Sequence, residues 1–228
     1  MMKKFLIGTV LSLSALSTIA SELSQYTAAR VQRAHNLAQE EKLKEAISSL
    51  EAMELSRGYD QAYVARMLGI FYWQNEQTQA AIKQLELAVN SGLLQDEQAW
   101  QTRKMLADIL LNEQRFSKAL PHYYALSKNI PKGQKAHELW LRISQSHYQL
   151  SQWQKVLSAM ARYEKFGQPD KLGALSIKLS AELELKKWKP AISTIKRLSE
   201  LNGGASLLLF TCVLMTTNVL WTLWRWQN

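Results

Sequence analysis

Cysteine occurs once in the 228-residue chain, at Cys212, so no intrachain disulfide can form in any compartment. Proline and glycine are scarce, 4 and 9 residues, which leaves few breaks in helical segments. Motifs that carry chemistry are also missing. There is no HExxH, no CxxC, no Walker-type phosphate loop and no GxSxG. The four histidines (His35, His122, His137, His147) are dispersed without metal-ligand spacing. Gly203 and Gly204 read as a helix stop, not a phosphate loop. The expectation is a chain that is not an enzyme and has no cofactor or metal site.

Good helix formers, Leu, Ala, Gln, Lys and Glu, are abundant, and the apolar ones fall into a long-period pattern. Ala46, Ala81, Ala119, Val156 and Ala191 mark one register, at spacings of 35, 38, 37 and 35 residues. Four positions after each comes a large apolar residue: Leu50, Leu85, Tyr123, Met160 and Ile195. Such a period is the signature of stacked helix pairs. In the second unit Leu68, Gly69 and Tyr72 share one face of a first helix, and Ala81, Leu85 and Ala88 form the stripe of a second. Gly69 is expected to let the helices approach closely, with Ala81 opposite. The third unit repeats the scheme with Leu106, Ala107, Leu110, Phe116, Ala119, Tyr123 and a closing Pro131.

This arrangement resembles the tetratricopeptide repeat (TPR), most clearly in the second and third units. The fourth (Trp140, Ile143, Ser144, Trp153, Val156, Met160) and fifth (Leu179, Trp188, Ala191, Ile195) are looser, and the first (Ala34, Leu37, Ala46, Leu50) reads as a degenerate cap. The resemblance implies an all-α, right-handed α-solenoid over residues 21–204. It also implies that first helices line a groove for a peptide or partner helix. The expected groove residues are His35, Tyr63, Arg66, Trp73, Lys104, Asp108, Asn112, Tyr148 and Gln149. Aromatic and Arg side chains are the types that anchor binding; Asn or Lys can bond a peptide backbone or carboxylate. Trp73 and Tyr148 could equally pack between units.

Lys3 and Lys4 precede an apolar run from Phe5 to Leu16, with small residues Thr18 and Ala20 after it. Residues 1–20 are therefore expected to be a signal peptide, with an uncleaved anchor as the alternative. Without Lys3 and Lys4 the net charge falls from +9 to +7. A basic balance favours acidic partners or a membrane surface, and nucleic acid is a poor fit for an exported chain.

The stretches SELSQYTAARVQRAHNLAQ and MLGIFYWQ, with the leader before them, resemble an envelope TPR group of Gram-negative bacteria encoded beside TonB, ExbB and ExbD. That resemblance covers about residues 1–204. It implies a periplasmic accessory or scaffold in TonB-dependent uptake, with TonB, ExbB or ExbD among its partners. An envelope-assembly adaptor, for cytochrome or outer-membrane biogenesis, is the alternative.

Residues 205–228 depart from that group. The run ASLLLFTCVLMTTNVLWTLW is uncharged and 20 residues long, enough to span a bilayer, with Trp221, Trp224 and Trp226 at one end. Read so, it is an anchor in the inner membrane with the repeats facing the periplasm. The other reading is a frameshift. In the neighbouring frame suitable codons spell a further TPR segment, arriving about six residues early for the period. On that reading the chain is a truncated form of a longer array, and its last helix would show an apolar face.

Overall fold

The computed structural model describes residues 23–167 and 169–201. The leader and the apolar tail lie outside them, so neither reading of the tail meets a structural observation. The described residues form ten α-helices and no strand: α1 (Gln25–Gln39), α2 (Leu43–Glu51), α3 (Gly58–Gln74), α4 (Thr78–Asn90), α5 (Asp96–Asn112), α6 (Phe116–Leu126), α7 (Ala136–Gln149), α8 (Trp153–Glu164), α9 (Leu172–Glu184) and α10 (Trp188–Leu201). Among these residues no helix is long and apolar enough to cross a membrane. The sequence period is thus five helix-turn-helix repeats, each a first and a second helix. The chain divides into two compact units between Leu110 and Leu111, inside α5.

All five intra-repeat turns are built alike. Glu41, Glu76, Gln114, Ser151 and Lys186 have φ of 64°, 60°, 58°, 53° and 54°. They lie five positions before the five register residues, and all are exposed. The backbone hydrogen bonds explain the shared shape. The amide of each left-handed residue donates to the carbonyl three residues back, as Glu41 does to Ala38 at 3.2 Å and Lys186 to Leu183 at 2.9 Å. The next amide reaches five residues back: Lys42 to Leu37, Gln77 to Tyr72, Gln152 to His147 and Lys187 to Glu182, at 2.7–2.9 Å. This pair of bonds is the Schellman stop, and it satisfies carbonyls that a helix end leaves bare. The same residue then accepts from the register residue, as Gln77 does from Ala81 at 3.0 Å. One backbone element therefore ends the first helix and begins the second. No glycine occupies it, although a side chain there costs about 1 kcal/mol.

In the first unit, α1 packs on α2, α3 on α4, α2 on α3 and α1 on α3. Val31, Ala34, Ala46, Ile47, Leu50, Val64, Met67, Leu68 and Phe71 form a continuous core. Gly69 faces α4, but its neighbour is Leu85 and not Ala81. A Cβ at Gly69 would lie 2.6–2.7 Å from the Leu85 side chain and 3.3 Å from its backbone nitrogen. Ala81 is itself fully buried. The unit's N-terminal end is tied by polar bonds. The Ser24 hydroxyl caps α1 by accepting from Thr27 N at 3.2 Å, while Thr27 Oγ1 and Ser24 N donate to buried Asp60 at 2.9 and 3.2 Å. Burial pushes the Asp60 carboxyl up, but these bonds outweigh it and hold the group below its ordinary range.

In the second unit, α6 packs on α7, α7 on α8, α8 on α9, α9 on α10 and α7 on α9. Val156, Met160, Tyr163, Ala174 and Ala181 form one core cluster, and Leu175, Leu179, Ala191 and Leu198 another. Pro131 lies in the connection after α6, five residues beyond its last residue, so it does not itself end the helix. Pro121 stands inside α6 and is exposed, which removes one backbone donor from that helix. On α10, Lys189, Ser193, Lys196 and Glu200 are exposed, as is the apolar Leu201 at its end.

Two stability outcomes follow from this packing. Gly69→Ala should cost about 1–3 kcal/mol in chemical denaturation, because the added methyl meets Leu85 and its backbone. At the left-handed turn, Ser151→Val should cost about 1–2 kcal/mol, while Ser151→Gly should be neutral or stabilising by up to about 1 kcal/mol.

Candidate peptide-binding site

The first helices of the second and third repeats carry six of the nine residues expected to bind. On α3, Tyr63, Arg66, Ile70 and Trp73 recur at helical spacing and are all half-buried. Arg66 is held in place: its guanidinium carbon sits 5.9 Å from the Tyr63 ring centre, and Nη1 is 3.7 Å from Met67 Sδ. Its Nε is buried without a hydrogen-bond partner. Beside it opens a cleft of about 490 Å³, lined by Arg66, Gln95, Asp96, Glu97, Gln98 and Gln101. Tyr59 OH donates to Gln98 Oε1 at 3.4 Å, bridging α3 and α5 across that wall. Asp96 and Glu97 lie in the first turn of α5, where carboxylates also complement the helix dipole. The cleft thus offers one cation, two carboxylates and three side-chain amides. Amides both donate and accept, the requirement for pairing a peptide backbone.

Further along α5, Lys104 Nζ and Asp108 Oδ2 pair with each other at 2.6 Å, so these two expected groove residues largely neutralise one another. On α1, His35 is exposed and bonds Gln39 at 3.2 Å. The first unit therefore holds six of the nine expected residues, and Asn112, Tyr148 and Gln149 belong to the second. Asn112 and Gln149 are exposed. Tyr148 meets Trp153 edge-on at 5.6 Å and packs against the α8–α9 core cluster. Asp96, Glu97, Gln98 and Gln101 were not among the expected residues. Their signal was faint: Gln95, Gln98 and Gln101 recur every third residue at the start of a first helix. On α2, α3 and α4 a second cleft, about 530 Å³, is mixed in character, with Met53, Leu55 and the exposed Leu87 and Leu93 beside Glu51, Gln61 and Gln84.

Two buried polar groups occupy one core position in successive repeats. Leu37, Tyr72, Leu110, His147 and Glu182 each lie nine positions before a register residue. His147 is fully satisfied: Nδ1 donates to Gln152 Oε1 at 2.7 Å, and Nε2 accepts from Tyr124 OH at 2.8 Å. Burial, and secondarily Lys155, push its titration down against the Gln152 bond, so the imidazole is neutral. Glu182 is 2 % exposed, and its Oε2 has no hydrogen-bond partner. Burial pushes its carboxyl above the ordinary value, against the bond with Thr194. Close by, Lys178 donates to both oxygens of Glu164 at 2.8 and 2.9 Å, and Arg197 bridges Glu164 and Asp170. That network fastens α8, the following connection, α9 and α10 together. Among the described residues no group of three His, Cys, Asp or Glu could hold a metal.

The helix pairs, their shared turn and the close Gly69 crossing define an all-α protein of TPR type. No family model and no curated protein matches the chain. Solved structures do. MamA of strain AMB-1 superposes with a TM-score of 0.62 at 16% identity, over 82% of this chain and 97% of that one. MamA from Desulfovibrio magneticus RS-1 gives 0.58 at 12%, over 81% and 99%. YrrB, described as a TPR protein with an unusual peptide-binding site, gives 0.61 at 16%, over 80% and 89%. At these identities the likeness is one of fold.

The burial of Glu182 makes stability pH-dependent in a definite direction. A carboxyl raised in the fold stabilises fully below its ordinary value of 4.5 and loses that contribution as pH rises through the folded value. Glu182→Gln should therefore match the parent near pH 3.5 and melt at higher temperature by pH 7. Equal melting temperatures at both pH values would show that Glu182 carries no such penalty.

Proposed function

We propose that this protein is a non-catalytic scaffold that binds protein partners through the first helices of its repeats. The observation that carries the reading is the polar cleft beside Arg66. A cation held by Tyr63 faces a wall of amides and carboxylates. Such a site suits a polypeptide segment that presents backbone amides and charges of both signs. The peptide-binding description of YrrB is consistent with it.

The finer reading places the protein in the periplasm, as an accessory component of TonB-dependent energy transduction and uptake. It rests on SELSQYTAARVQRAHNLAQ and MLGIFYWQ, on the leader-like residues 1–20, and on the envelope group these resemble. The partners are then the periplasmic parts of TonB, ExbB or ExbD.

The test is co-purification of the tagged chain with TonB, ExbB and ExbD from detergent-solubilised envelopes. At least one of them should be retained, and Arg66→Glu should reduce its recovery by about tenfold, as loss of an anchoring Arg does. Undiminished recovery with Arg66→Glu would remove the cleft from the interface. Absence of all three from the native pull-down would end the TonB assignment.

A further inference from the structure

Charge is distributed unevenly between the two units. Residues 23–110 hold nine Lys and Arg against eleven Asp and Glu, whereas residues 111–201 hold sixteen against seven. Much of the acid in the second unit is already committed, since Glu164 and Asp170 are bound to Lys178 and Arg197 and Glu182 is buried. Four of the lysines without an ion pair gather at or just before the starts of its last two second helices. Lys155 is the third residue of α8, Lys186 and Lys187 form the α9–α10 turn, and Lys189 is the second residue of α10. These starts adjoin, because Lys187 Nζ donates to Gln154 Oε1 at 3.2 Å. Among the described residues none of the four lysines has a carboxylate partner.

Helix dipoles account for only part of this placement: Lys186 and Lys187 follow the C-terminus of α9, where cations are favourable, whereas Lys155 and Lys189 lie in the first turns of α8 and α10. The N-terminal end of a helix is the positive end of its dipole, where added cations are unfavourable. The matching turns of the first two repeats mix the signs: Glu40, Glu41, Glu45 and Glu76 stand with Lys42 and Lys44, a net acidic set. Ammonium groups gathered where two helix starts adjoin, with no carboxylate partner among the described residues, are suited to an anion from outside.

We propose that this edge of the second unit, around Lys155, Lys186, Lys187 and Lys189, binds an acidic polypeptide segment of a partner protein. The proposal deepens the scaffold reading and rests on it, but uses a surface separate from the Arg66 cleft. Charge complementarity selects an anion, and the apolar residues select its kind. Trp153 and Trp188, which begin α8 and α10, are half-buried, and Trp153 is held edge-on by Tyr148. None of the exposed large apolar side chains (Tyr26, Leu87, Leu93, Tyr124, Phe166, Leu172, Leu201) lies in the turns or first turns that carry these lysines. A lipid surface would be met by projecting apolar groups and single-stranded nucleic acid by open aromatic faces. An acidic peptide needs only a row of cations beside a partly covered aromatic.

The experiment measures binding of a fluorescent 20-residue poly-L-glutamate to the full chain. A variant combining Lys155→Gln, Lys186→Gln, Lys187→Gln and Lys189→Gln is compared with Arg66→Glu. Poly-L-glutamate should bind in a salt-sensitive manner and weaken by on the order of tenfold in the lysine variant, while Arg66→Glu leaves it unchanged. Circular dichroism should show the lysine variant folded and melting no lower than the parent. If the combined variant does not fold, Lys186→Gln and Lys187→Gln singly should each weaken binding. Lysine-independent binding overturns the proposal, as does lysine-dependent binding of phosphatidylglycerol vesicles without binding of poly-L-glutamate. Either failure leaves recovery of partners through Arg66 untouched, so the scaffold reading is judged separately.

Discussion

The left-handed residue in each intra-repeat turn is the constraint on which the rest of the structure depends. It stops a first helix, satisfies its last carbonyls and starts the second helix on the following residue. Its spacing from the register residue never varies, so the small side chain that meets the first helix always arrives in the same phase. The five turns achieve this with Glu, Glu, Gln, Ser and Lys. The conformation is thus imposed by hydrogen bonds and packing, against the preference of the residues themselves.

Packing then separates what must be apolar from what may vary. Gly69 is pressed against Leu85, and Ala34, Ala46, Ala81, Ala107, Ala119 and Ala191 have no exposed surface. These positions allow the helices to approach, and side chains on the remaining rows meet solvent or neighbouring first helices. Arg66 and its cleft lie on such a row. The position shared by Leu37, Tyr72, Leu110, His147 and Glu182 shows a different balance. A neutral imidazole with two partners is readily accommodated there, whereas a carboxyl with one bare oxygen is not.

Much of the architecture was legible in the sequence because repetition multiplies a weak signal. One Ala four residues before a Leu means little, but five such pairs at nearly constant spacing locate ten helices. The details that escaped depend on distances that periodicity does not encode. Leu85, not Ala81, faces Gly69, since the side chain reaches back one turn along its helix. Pro121 inside α6 and Pro131 beyond it reverse the usual expectation of which proline ends a helix. At the candidate site the pattern located the α3 row and α5, but not the amide wall around Gln98. Gln has no preferred face, so only the tertiary approach of α5 to Arg66 reveals it. Lys104 and Asp108 were legible as groove positions, but their mutual pairing was not used.

The five turn positions have one further consequence. Their side chains all point to solvent while their backbones do the structural work. Identity at these sites is therefore nearly free, provided the residue is neither proline nor β-branched. A mutation there can change the sign of a surface without disturbing a core contact. The surface charge of the repeats can thus be rewritten at five letters that the core does not read.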